Sequence, residues 1–346
     1  MTPRRRTLLA GIAGGLVAAA VAPAAALDRR RVLHVRPGDS VQAAVDTVDG
    51  SGWTIVVHPG VYREVVNVPA EAAELTLCGA TRDPRAVVIV HDNANGTQKP
   101  DGSGTYGTAG SATFSSAAPG LTVRDLTLAN DWLRADHPEI TGTQAVAAYV
   151  TGDRSRFEHV RLLAHQDTLF VDTTALEVFD RQYFSRCYIE GDVDFVFGRA
   201  TAVFADCHFH TLGRDVAFTP KGMVFAPSTA RANPHGILAV RSRITSGAED
   251  AAYKLARPWV PSYETTAWPS LVVRDTRIGP GIDPVAPYTN MRDAYPWQSM
   301  RFHEYRDTGP GSVITVPENR PQLTPAEARL HTPATYLGDW RPVRPL

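Results

Sequence analysis

The sequence predicts an all-β chain coiled as a right-handed parallel β-helix, a solenoid with a short helix capping its N-terminal end. Three observations carry that prediction. A six-residue pattern recurs at intervals of 20 to 35 residues, its copies are rich in β-formers and bounded by turn residues, and no amphipathic helical pattern lies between them. An α/β sheet would need such helices. An antiparallel sandwich is the main alternative, but its strands would not normally share one motif.

Before the fold begins, Arg4-Arg5-Arg6 precede Leu8-Leu9, an apolar run to Val21 and Ala24-Ala25-Ala26. A charged start, a short hydrophobic core and small residues read as an export signal over residues 1–26, with arginines resembling a twin-arginine signal. The run is shorter than the ~20 residues a membrane span needs. The expectation is therefore a secreted protein with no membrane attachment after cleavage. Residues 27–346 are expected to form a single β-helix catalytic domain.

Val32-Leu33-His34-Val35 reads as the first strand. Ser40 then caps a short amphipathic helix through Val41, Ala44 and Val45, which would cover the exposed strand edges of the first coil. The repeat follows: an apolar residue, two mostly polar ones, a variable one, a polar one and an apolar one. It appears as Val123–Leu128, Phe157–Leu162, Phe184–Ile189 and Phe204–Phe209, more weakly as Ala239–Ile244 and Val273–Ile278. Each copy is read as one strand. Beyond Arg292 the chain is rich in Pro, Trp and Tyr and is expected to pack along the outside as a docked tail.

Of three cysteines, Cys187 and Cys207 occupy matching places of successive repeats. Export permits a bridge between them, so a Cys187–Cys207 disulfide, or at least a stacked pair, is expected, with Cys78 buried and free. No CxxC or clustered His/Cys spacing occurs, so no zinc site is expected. Formal net charge is −1, and loss of the three signal arginines makes it −4. That balance argues against a nucleic-acid partner.

The chemistry concentrates in Gln166-Asp167-Thr168-Leu169 and Asp194-Phe195-Val196-Phe197-Gly198, with Gln144 upstream and Arg257-Pro258-Trp259 downstream. Residues one coil apart lie on adjacent rungs, about 4.8 Å apart. Gln144 to Gln166 spans 22 residues and Asp167 to Asp194 spans 27, so all four can share one outer face. Asp194 sits between Val193 and an apolar run, and a buried carboxylate costs several kcal/mol unless paired. Arg257 is the natural partner.

With these residues the chain resembles the pectin methylesterases, in their simpler bacterial form. The family's motifs appear in order as Gly60-Val61-Tyr62-Arg63-Glu64, Gln144-Ala145-Val146-Ala147, Gln166-Asp167-Thr168-Leu169, Asp194-Phe195-Val196-Phe197-Gly198 and Ala256-Arg257-Pro258-Trp259. The resemblance spans roughly Val32 to Trp340 and implies a parallel β-helix. It further implies that Asp194 is the nucleophile, Asp167 the general acid and base, Gln166 and Gln144 the oxyanion donors, and Arg257 the residue orienting Asp194. Trp259, Phe197, Phe170 and Thr113 become substrate contacts, pectin the substrate, and no cofactor is needed. Tyr62, Glu64 and His165 read as structural. Ala256 departs from the family's usual glycine, and its methyl could tighten the groove. A monomer is expected, since a capped solenoid suffices alone. A calcium-dependent lyase, a glycosidase and a non-enzymatic polysaccharide-binding β-helix are the competing readings.

Overall fold

In a computed structural model, residues 31–342 are described; the expected signal segment lies outside them. Three parallel sheets of ten, eight and seven strands run the length of the molecule. A complete coil contributes one strand to each sheet in turn. One coil runs Arg181–Ser185, Tyr188–Gly191 and Val196–Gly198 before Thr201–Ala205 begins the next. Strands hydrogen-bond to their equivalents a coil away, so a parallel β-helix results, with the right-handed crossover that parallel connections adopt. Among the described residues no helix is long and apolar enough to cross a membrane.

The interior is built from columns of like residues in register. Val123, Phe157, Phe184, Phe204, Ala239 and Val273 form one column. The rings of Phe157 and Phe184 stack at 4.9 Å, and those of Phe184 and Phe204 at 4.6 Å. Leu128, Leu162, Ile189, Phe209, Ile244 and Ile278 form the second. These are the first and last positions of the six-residue pattern. The pattern is therefore a corner joining two sheets, which corrects its reading as one strand.

Its third position, Asp125, His159, Arg186, Asp206, Arg241 or Asp275, takes a left-handed backbone with φ from 49° to 57°. That conformation costs a residue with a Cβ roughly 1–2 kcal/mol, and it makes the sharp turn that two unbroken strands could not.

The N-terminal helix, Val41–Asp46, has Ser40 as its cap and buries Val41 and Val45. Glu64 accepts from Ser40 Oγ and from the Val41 and Gln42 amides at 2.7–3.0 Å, so it anchors that cap. Tyr62 is buried and donates to the His58 carbonyl.

The C-terminal region departs from expectation at one point. Arg301–Tyr305 is the last strand of the ten-stranded sheet, so the solenoid continues past Arg292. Its corner was hidden because Glu304 occupies the apolar first position, in register with Val273. Glu304 is buried and held by Arg320 at 2.6 Å. After it, helices Pro325–Ala328 and Pro333–Leu337 dock outside, where Tyr336 and Leu337 pack with Tyr183, Val203 and Val240.

Cys187 and Cys207 are buried free thiols, as is Cys78; the expected bridge is corrected to stacking. In-register parallel neighbours hold their Cα–Cβ bonds side by side about 4.8 Å apart, wider than the 3.5–4.5 Å between Cβ atoms that a disulfide needs. Each thiol instead faces a carbonyl, Cys187 that of Phe157 and Cys207 that of Phe184.

Candidate active site

The site forms where the chain leaves the eight-stranded sheet for the seven-stranded one. Asp167 and Asp194 sit at the same place in successive coils, since Leu169 and Phe170 pair with Val196 and Phe197. Both have positive φ, 66° and 49°. The Asp167 amide donates to the Val193 carbonyl at 3.0 Å, which ties the two turns together. Gly198 ends the strand that follows the second turn, at φ 127°, where a Cβ would come within 1.9 Å of the Val171 carbonyl oxygen. Only glycine fits there.

Arg257 follows the strand Tyr253–Ala256, its amide bonded to the Phe225 carbonyl. Its guanidinium holds Asp194 in a fork, Nε to Oδ1 at 2.9 Å and Nη2 to Oδ2 at 2.6 Å. Gln144, Gln166, Asp167, Asp194, Arg257 and Trp259 all line one cavity of about 350 Å³. Phe170 and Phe197 line it too, stacked at 4.2 Å, with Trp259 at 5.8 and 5.6 Å from their rings.

The two carboxyls differ in environment. Burial, and then the charge of Asp194, push Asp167 well above the ordinary carboxylate range against the pull of Arg257. Asp194 is raised as well, by burial, but its direct bonds to Arg257 oppose the rise. Of the two, Asp167 is pushed further toward its protonated form, and Arg257 favours the ionised form of Asp194.

Two of the surrounding groups were invisible in the sequence. Asn95 Nδ2 donates to Gln144 Oε1 at 2.9 Å and to Thr108 Oγ1 at 3.0 Å. Thr143 Oγ1 donates to Gln166 Oε1 at 2.7 Å. With both amide oxygens engaged, the NH2 groups are the ends available as donors in the cavity that both side chains line, and a hydrogen bond from Gln166 works against the rise of Asp167. A third carboxylate, Asp192, lies buried beside the pair and is ion-paired to Arg134. Burial works against its charge, but a hydrogen bond from His165 and the charge of Arg134 hold it below the usual range, and it adds to the rise of both neighbours.

Thr113 does not reach the cavity. It is fully buried, and Thr108 lines the wall in its place. The Ala256 methyl lies in the coil interior with the main core, so it does not narrow the groove.

Residues 37–339 match the family model described as Pectinesterase. The chain belongs to the pectinesterase family. It is 34% identical over 307 residues to a pectinesterase of Ralstonia solanacearum, covering 79% of this chain and 76% of that protein. It is 35% identical over 326 residues to pectinesterase A of Dickeya dadantii, covering 85% and 84%. Among solved structures it is similar to the pectin methylesterase PemA from Erwinia chrysanthemi, with a TM-score of 0.79, 30% identity and 90% and 98% of the two chains covered. It is similar also to a pectin methylesterase in complex with a hexasaccharide, with a TM-score of 0.78, 31% identity and 88% and 94% covered. The pectinesterase fold and enzyme class follow; Gln144, Gln166, Asp167, Asp194 and Arg257 in the cavity are then the place to look for its chemistry.

Proposed function

We propose that this protein hydrolyses the methyl esters of pectin, giving pectate and methanol through an acyl-enzyme on Asp194. The observation that carries this reading is the pairing of an arginine-held carboxylate with a neighbouring buried carboxyl, whose burial favours the protonated form. An Asp194 oxygen attacks the C6 ester carbonyl carbon. The oxyanion that forms is met by the Gln144 and Gln166 amide hydrogens. The intermediate collapses with loss of methoxide, which takes the Asp167 proton and leaves as methanol. Asp167, now ionised, accepts a proton from water as the water attacks the acyl carbon. The anhydride breaks, galacturonate departs and Asp194 is restored. Ester and water have become acid and methanol, and no cofactor enters the balance.

Trp259, Phe170 and Phe197 offer apolar faces to sugar rings on one side of the reacting group. We read the protein as exported by its N-terminal segment and acting as a monomer on a polymer outside the cell. Product analysis on highly methylated pectin tests the reaction. Methanol release without chain cleavage is expected; unsaturated ends would mean a lyase, and new reducing ends a glycosidase. Either of those products in place of methanol would overturn the proposal.

A further inference from the structure

The corner between the ten- and eight-stranded sheets carries a second, larger hollow of about 730 Å³ that shares no residue with the catalytic cavity. Arg85, Arg161, Arg186, Arg241 and Arg243 line it, against one carboxylate, Asp206. A flanking hollow shares Arg186 with it and adds Arg82, Arg124 and Arg156 with Asp125 and Glu158. The hollow on the other flank shares Arg241 and adds Arg274 and Arg306 with Asp275. Together they place ten arginines against four carboxylates along one edge, an excess of six. The whole chain has net charge −1, so the remainder carries −7. Such a segregation is not what a uniformly solvated surface shows.

Seven of the ten arginines are neutralised in place, Arg186 by Glu158 and Arg241 by Asp206 among them. Arg161 and Arg243 meet no carboxylate among the described residues. Arg161 lies over the Tyr188 ring at 5.4 Å, and Arg243 donates to His208 Nδ1 at 3.0 Å. Both sit in one outward column, where Arg161, Tyr188, His208 and Arg243 are in register on successive rungs. Three rung spacings separate the two residues, roughly 14 Å along the solenoid axis. His208 is held down to about 4 by burial and by Arg243, so it stays neutral and leaves the arginine charge free.

The geometry points to a second polysaccharide site on this edge, one that binds de-esterified polygalacturonate, the polyanionic product of the proposed reaction. Guanidinium forks match carboxylates, and Arg161 and Arg243, which meet none, lie along the axis at a spacing an extended polyanion spans. A methylated chain is uncharged and would gain little there. A long chain held here while another stretch enters the catalytic cavity would gain effective concentration. The site would thus hold the enzyme on partly de-esterified pectin. This inference rests on the proposed function for the identity of its ligand.

The test compares binding of fully de-esterified polygalacturonate, highly methylated pectin and duplex DNA to the wild-type chain and to an Arg161→Glu/Arg243→Glu double variant. A thermal midpoint checks folding, and an Arg161→Gln/Arg243→Gln variant serves if charge reversal lowers it. The expected result is polygalacturonate preferred at least tenfold over either other polymer, at least tenfold weaker binding by the variant, and unchanged methanol release from short methylated oligomers. Equal polygalacturonate binding by wild type and variant would overturn the site. DNA binding as tight as polygalacturonate would overturn its assignment to a uronate and leave a general polyanion surface. Absence of methanol release from wild type would sink the proposed reaction, and the binding arm reads the groove regardless.

Discussion

Burial and the charge of Asp194 favour the protonated form of Asp167, and this has a cost for the fold. Its folded pKa lies above its unfolded value, so its contribution to stability is fully present below the unfolded pKa and is lost as pH rises through the folded one. Asp167→Asn should therefore abolish turnover while raising the thermal midpoint at pH 7 by a few degrees. A lowered midpoint would contradict the protonation assignment. The same shift sets the pH profile: kcat should fall on the alkaline side as Asp167 ionises. Asp192→Asn removes one of the charges that raise Asp167 and should move that limb to lower pH, which a pH–rate profile reads directly. Removing a single oxyanion donor costs about 10²–10³ in kcat. Thr143→Val and Asn95→Ala leave the donors present but unheld, so each should lower kcat about tenfold, with KM little changed. Asp194, Asp167, both glutamines and Arg257 could be read from spacing and resemblance. Asn95 and Thr143 could not, because a single Asn or Thr forty-nine or twenty-three residues from its partner has no local signature. Thr113 misled for the converse reason, since chain position near a motif does not reveal which face a side chain takes.

At the scale of the element, the corner is the unit that the sequence repeats. Its two apolar positions face inward as stacked columns, and its third residue accepts a strained backbone to join two sheets. Periodicity made the columns legible but not the turn between them, because a left-handed Asp and an extended Asp are the same letter. Phe184 stacks between Phe157 and Phe204, so Phe184→Ala should cost about 3–5 kcal/mol, measured by denaturant unfolding. The last corner shows where the pattern fails. Glu304 replaces the apolar anchor, and its partner Arg320 is supplied from the tail. Arg320→Met would strand a buried carboxylate and should cost about 3–5 kcal/mol, while Glu304→Leu with Arg320→Met should recover most of it. The stacked thiols make a further check: reductant should leave the thermal midpoint unchanged, and three thiols should react once the chain is unfolded.

Across the whole molecule, the coil is closed at one end by Val41–Asp46 and clasped along its side by the C-terminal tail. The tail is docked through histidines. Tyr336 stacks on His235 at 4.4 Å and meets His331 Nδ1 at 2.9 Å. Burial, then His303, His235 and Arg274, hold His331 down to about 4, against Glu327; His235 and His303 are lowered also, chiefly by burial. Folded pKa values below the unfolded 6.5 mean that this docking is fully stabilising above about pH 6.5 and weakens as pH falls toward 4. Limited proteolysis of the tail should accelerate over that window. Solenoid architecture was legible because one motif returns at coil intervals. How the tail docks was not, since it depends on surface complementarity between distant segments.

The most direct test of Asp194 as the nucleophile is methanol release from highly methylated pectin by the wild-type chain and by folded Asp194→Asn. Release by wild type is expected, with a loss of at least about a thousandfold in the variant. Near-normal release by Asp194→Asn would mean that the carboxylate held by Arg257 is not the nucleophile.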